Sequence, residues 1–339
     1  MKKFLVMLLA LVTIFSTVMM TTACGGSEPA DEDTATDVTI VISTSTGDGS
    51  FNDSAKAGSE ALEAAGYKVQ FVECNSNADQ LEPNLRSAAE NSKMVVAVGS
   101  EFTMLSDICK EYTDVKFAWV DNVPETYEGL DNLVGISYAQ NEGSYLVGYV
   151  AAKESQTGTV GIVGGQDIDV INDFIVGFKQ GAEAGGAKAI SNYVNDPTWS
   201  DTELGSQCAL DLKSKGADVI FQACGGCGIG VIQSAKDNGY MAIGVDCDQR
   251  ITLPDYADYI YCSMVKEVGQ SIQDLVKNYI DNGTFEGGQT WKAGLEGGYI
   301  GVHYGSDDQT QLVSDELKAE VEDQMNQIQE GKIVVDTVY

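Results

Sequence analysis

TVGIV at residues 159–163, with an amphipathic helical pattern after it over 170–184, decides the fold. A short run of β-branched residues bounded by glycine reads as a buried strand. This one falls in mid-chain and restarts a pattern already run through once. The first pass opens with VTIVIS at 38–43 and a helical pattern over 54–65 that stops at Gly66. It goes on through strands at 68–72, 94–98 (MVVAV), 116–120 (KFAWV) and 133–136, with helices at 80–91, 103–112 and 141–153 between or after them. The second pass places strands at 189–193, 218–222, 241–245 and 259–263, with helices at 201–214, 228–238 and 265–282; a Gly-rich tail ends in a helix near 314–330. Strands alternating with helices of this length form βαβ units and parallel sheets. Two passes predict an α/β protein of two doubly wound lobes. Ligands of such sheets sit beyond the carboxyl ends of the strands. That rule selects Thr44, Gly99, Asp121, Gly164, Ala223 to Gly226, Asp246 and Met264 as the neighbourhood of a shared cleft.

Composition narrows the classes. The net charge of −31 repels nucleic acid and anionic lipid headgroups, so nucleic-acid binding is not expected. Cysteines number eight, but setting Cys24 aside leaves an odd count on a large domain, which argues against a disulfide scaffold. Cys224-Gly-Gly-Cys227 follows a strand and opens a helix, the context of a redox motif; two small residues in a glycine turn is the plainer reading. The run from Gly225 to Gly230 has no GxGxxG register. There is no P-loop, no HExxH and no GxSxG elbow, and His303 is the single histidine. No enzyme, cofactor or metal site is expected.

The N-terminus reads as an export signal. Lys2 and Lys3 precede an apolar run over 4–19, and Thr21-Thr22-Ala23 lead directly into Cys24. The run is short for a membrane span. A cysteine at that position resembles a bacterial lipobox, although Thr21 stands where leucine is usual. Residues 1–23 are therefore expected to be a lipoprotein signal peptide and Cys24 the lipidated residue, placing the protein on the outer face of the cell membrane. Residues 24–37 read as a flexible tether.

Several runs carry a resemblance: GDGSFND at 47–53, GISYAQNEGSYLVGYVAA at 135–152, VINDFIVGF at 170–178, GADVIFQACGGCGIGVI at 216–232, IGVDCDQ at 243–249, and Ser263-Met264-Val265-Lys266. In this order they resemble the basic membrane protein family, the PnrA-like nucleoside-binding lipoproteins that serve ABC transporters. The resemblance implies a type I periplasmic-binding-protein fold whose chain crosses a hinge three times, near Ala139, Met264 and Gly287. It implies an N-terminal lobe of 38–138 and 265–287, a C-terminal lobe of 139–264, and a segment 288–339 packing back across both. It further implies a monomer that captures a nucleoside, purine favoured, between closing lobes and delivers it to an ABC permease. A sugar-binding protein, or a sensor that presents its closed form to a membrane receptor, needs the same cleft.

The resemblance gives roles to particular residues. Phe51 offers a ring for stacking on a nucleobase, and Asn52 a donor and acceptor for its edge, with helix capping as the alternative for Asn52 and Asp53 as the stronger cap. Phe174, four residues before Phe178, offers a second ring, with core packing as its rival. Asp121 and Asp246 end strongly apolar strands, where packing calls for no carboxylate. Asp246 and Lys266 are expected to hold the ribose, Lys266 neutralising Asp246, while Asp121 lies at the base or its rim. Gly225 and Gly226 let backbone approach the ligand; Asp248 and Gln249 are weaker candidates. Many relatives carry an aspartate where Thr44 stands, so the base preference stays open.

Overall fold

The computed structural model describes residues 35–339. The leader, Cys24 and the tether up to residue 34 lie outside the described residues. Thr36 and Asp37, read as the end of that tether, already belong to the first strand.

The first pass forms β1 (Thr36–Ile42), α1 (Phe51–Ala64), β2 (Val69–Glu73), α2 (Ala78–Asn91), β3 (Ser92–Val98), α3 (Leu105–Glu111), β4 (Lys116–Val120) and β5 (Leu133–Tyr138). The second forms α4 (Gln140–Glu154), β6 (Thr159–Gly164), α5 (Asp169–Ala184), β7 (Lys188–Tyr193), α6 (Thr202–Ser214), β8 (Val219–Ala223), α7 (Cys227–Asn238) and β9 (Met241–Asp246). After a short helix α8 (Gln249–Thr252) and a 3-10 segment (Pro254–Tyr259) come β10 (Ile260–Lys266), α9 (Val268–Asn282), β11 (Gln289–Ala293), β12 (Ile300–His303) and α10 (Asp315–Gln329). Local chemistry fixes several helix starts: the side chains of Asn77, Asp201 and Ser314 accept from the N–H groups of Asp79, Leu204 and Leu317.

Two six-stranded sheets result, in the orders β11-β5-β4-β3-β1-β2 and β12-β10-β9-β8-β6-β7. Pairing is parallel throughout, except that β12 runs antiparallel to β10. Each sheet reverses direction of winding beside its first strand, at β1 and at β6, and that is where a doubly wound sheet opens a crevice. The inner strands are buried on both faces, which explains their near-continuous apolar runs, whereas the edge strands β2, β7, β11 and β12 are only partly buried. Helices α4 and α5 pack backbone to backbone. A Cβ added at Gly177 or Gly181 would come within 2.0 Å of the Asn141 carbonyl oxygen or 1.9 Å of the Tyr145 carbonyl oxygen.

The chain passes between the two sheets three times. It leaves β5 and enters α4 at Ala139, and it leaves β10 for α9 at Glu267. The helix read from residue 265 begins later, because β10 continues as strand through Lys266. The passage expected near Gly287 falls at 294–299 instead, because β11 first adds to the edge of the first sheet beside β5. Segment 288–339 therefore contributes one strand to each sheet, and its helix α10 rests against α4. Ala139 N–H donates to the Ala293 carbonyl at 3.0 Å and Glu267 N–H to the Tyr299 carbonyl at 2.9 Å, so the third connector is tied to the other two. Among the described residues no helix is long and apolar enough to cross a membrane.

Candidate functional site

A cleft of about 570 Å³ opens where the carboxyl ends of the two sheets face each other, and Phe51, Asn52, Asp121, Phe174, Gly225, Gly226, Asp246 and Lys266 all line it. Asp248 and Gln249 do not. Asp248 caps α8 through the Arg250 N–H, while buried Gln249 accepts from the Gln222 amide and the Val245 N–H.

Asp121 and Asp246 occupy equivalent places, one just past β4 and the other closing β9, and both have left-handed backbones, with φ of 66° and 62°. A non-glycine residue held there is strained by on the order of 1 kcal/mol or more, a pattern that concentrates at functional sites. The two carboxylates have different partners. Lys266 Nζ lies 2.6 Å from Asp121 Oδ1, whereas the Ser50 hydroxyl donates to Asp246 Oδ2 at 2.6 Å. The expectation that Lys266 pairs with Asp246 is thus corrected: β10 carries the lysine toward the end of β4 in the opposite lobe. Burial pushes the Asp246 carboxyl up to about 6, against the pull of Lys266 and the Ser50 hydroxyl and with the help of Asp121 and Asp48.

Lys266 is 1 % exposed, and its ammonium lies 5.1 Å from the ring centre of Phe51, 4.9 Å from that of Tyr138 and 5.4 Å from that of Phe174. These contacts suit the attraction between a cation and a ring face. Phe51 is the first residue of α1 and is half-buried, not a loop residue. Phe174 serves two purposes: it lines the cleft, and it packs on Phe221 with ring centres 6.2 Å apart.

The cap of α1 differs from the expectation. Asp48, not Asp53, accepts from the N–H groups of Ser50, Asn52 and Asp53, and Asp53 instead accepts from Gly47 and Gly49 N–H within the loop. Burial raises the Asp48 carboxyl, and the N–H groups of Asn52 and Ser50 offset part of that. The Asn52 amide donates to Thr44 Oγ1 at 2.8 Å and to Asp48 Oδ2 at 2.9 Å. With both N–H groups engaged, Asn52 keeps its carbonyl oxygen as its remaining hydrogen-bonding group. Gly225 has φ +57° and precedes Gly226, the cap of α7, so a side chain at 225 would be strained.

Asp48, Glu101 and Trp199 are among the lining residues that the sequence does not single out. A tryptophan two residues before the cap of α6, just past a strand end, was the available signal for Trp199. Cys224 and Cys227 are free and buried; burial raises both thiols, Cys227 to about 12, which leaves little thiolate for redox chemistry. Among the described residues no group of three or more His, Cys, Asp or Glu is placed to hold a metal.

Comparison with known proteins agrees with this architecture. The crystal structure of an ABC transporter solute-binding protein from Aeropyrum pernix K1 is similar with a TM-score of 0.77 at 23 % identity, covering 89 % of this chain and 94 % of that one. The fold is the type I periplasmic-binding-protein fold, with its three-crossing hinge. Basic membrane protein A of Borreliella afzelii is 34 % identical over 273 residues, 78 % of this chain and 81 % of that protein. A CD4+ T-cell-stimulating antigen of Listeria innocua serovar 6a is 32 % identical over 359 residues, 96 % of this chain and 97 % of that one. A family model described as ABC transporter substrate-binding protein PnrA-like matches residues 35–337, and the chain belongs to that family, Bmp.

Proposed function

We propose that the protein is lipidated at Cys24, held on the outer face of the cell membrane, and captures a nucleoside that it passes to an ABC permease. The observation that carries this reading is the pairing of ring faces with carboxylates in one cleft: Phe51 and Phe174 from opposite lobes, with Asp121 and Asp246 beside them. Flat heterocycles stack on such rings for about 1–3 kcal/mol per base. Ionised carboxylates accept from sugar hydroxyls in charge-assisted hydrogen bonds of about 1.5–3 kcal/mol. Contacts from both lobes form together only when the lobes meet, so bound ligand shifts the population toward the closed form. Nothing in this sequence of events breaks a covalent bond.

The test is a thermal-shift screen of nucleosides, free bases and free sugars, followed by calorimetry on the best ligand. Nucleosides are expected to stabilise the protein more than either half. Asp246→Ala is expected to abolish tight binding, and Phe51→Ala to weaken it by a stacking-sized amount. Stabilisation by ribose equal to that by any riboside would replace the nucleoside with a sugar, and no response to any riboside would end the reading.

A further inference from the structure

Trp199 is held in place more elaborately than a loop residue needs. Its backbone is left-handed, with φ of 58°, a strained conformation for a bulky side chain. The Asp196 carboxylate enforces the turn by accepting from the N–H groups of Thr198, Ser200 and Asp201 and from the Thr198 hydroxyl. Burial would raise that carboxyl, but these donors bring it down to about 2. The indole lies against Gly165, where an added Cβ would fall 2.1 Å from the ring.

Across the cleft the first lobe makes the matching arrangement. Glu101 stands beyond β3, and Gly99, with φ +119°, leaves room for its carboxylate; a Cβ there would lie 2.7 Å from Oε2. The indole Nε1–H donates to Glu101 Oε1 at 3.1 Å. A second bond joins the same two sides, from the Ser76 hydroxyl to the Thr198 carbonyl at 3.2 Å. Both Trp199 and Glu101 line the cleft and are half-buried.

We propose that Trp199 and Glu101 form a latch across the mouth of the cleft that sets how long a bound ligand stays, resting on the reading of this cleft as the ligand site. The strained turn and the two glycine platforms present a donor and an acceptor that meet only when the lobes are shut. Trp199 and Glu101 act as positioning residues, and their loss acts on release. A hydrogen bond to a charged acceptor at a partly exposed position corresponds to about a tenfold change in dissociation rate.

The experiment combines stopped-flow release of a fluorescent nucleoside with NMR of the tryptophan indole N–H groups, the Trp199 signal being identified by its absence in Trp199→Phe. Glu101→Ala and Trp199→Phe are each expected to speed release about tenfold, the double variant no more than either alone, and Glu101→Gln, which keeps the acceptor, to restore slow release. The Trp199 indole signal is expected to move in Glu101→Ala. Additive losses in the double variant, or an indole signal unmoved with and without nucleoside, would overturn the latch. If wild-type protein binds no nucleoside while the signal still moves in Glu101→Ala, the latch stands and the nucleoside reading falls.

Discussion

Replacing Asp246 by Asn is expected to make the ligand-free protein more stable at neutral pH while weakening ligand binding. Asp246 is 6 % exposed, and burial carries its carboxyl from the usual 3.8 to about 6. Each tenfold change in proton affinity is about 1.4 kcal/mol, so the ionised form costs the fold about 3 kcal/mol. The sign follows from proton uptake. Between pH 4 and 6 the folded carboxyl holds a proton that the unfolded one has lost, so stability falls as pH rises through this window. The penalty is complete above pH 6 and absent below pH 4. Asn keeps an oxygen for the Ser50 hydroxyl, and Lys266 keeps its partner Asp121. Urea denaturation of both proteins at several pH values between 4 and 7.5 should show the variant ahead by about 3 kcal/mol at pH 7.5, with the gap closing by pH 4. A variant no more stable than wild type at pH 7.5, or a gap independent of pH, would refute the argument.

Three other outcomes are open to measurement. Gly177→Ala should lower stability by about 1–3 kcal/mol through overpacking of α4 on α5, and unchanged urea denaturation would mean the helices are not in backbone contact. Asp196→Ala should lower the melting temperature at pH 7, and the deficit should shrink between pH 4 and 2 as the wild-type carboxylate is protonated and lets go of its donors; a deficit constant over that range would argue against the clasp. Iodoacetamide at pH 8 should leave Cys224 and Cys227 unmodified in the native protein and label both after unfolding, as mass spectrometry of peptides would show; native labelling would reopen a thiol role.

The repeated βαβ alternation was legible because buried parallel strands announce themselves by β-branched runs, as in MVVAV and KFAWV. β11 and β12 were not. QTWKA and IGVH are short edge segments inside a Gly-rich tail, and what makes them strands is the unpaired edge of a sheet built from residues far away in sequence. The same cause moved the third passage from Gly287 to 294–299. The rule that chemistry gathers at strand ends reaches Thr44, Gly99, Asp121, Ala223, Gly225, Gly226 and Asp246, but not Phe51, Asn52, Phe174 or Lys266, which rest on the family resemblance. It also picks Gly164, Cys224 and Met264, which do not line the cleft. The pairing within the cleft was not legible, since Lys266 and Asp121 stand 145 residues apart and meet only through the docking of two lobes. Trp199 is not legible in the sequence, because its orientation depends on a carboxylate three residues earlier holding an unfavourable φ, and no periodicity signals that.

The lacing of the three connectors has a mechanical consequence. Because Ala139 is bonded to Ala293 and Glu267 to Tyr299, the connectors cannot slide past one another without breaking backbone bonds at both ends of the bundle. Shear is thereby suppressed, and what is left is flexure about a single line, like a door on one pin. Guests of different bulk would then alter the dwell time of the shut door far more than the outline it offers, so a docking partner has one silhouette to recognise.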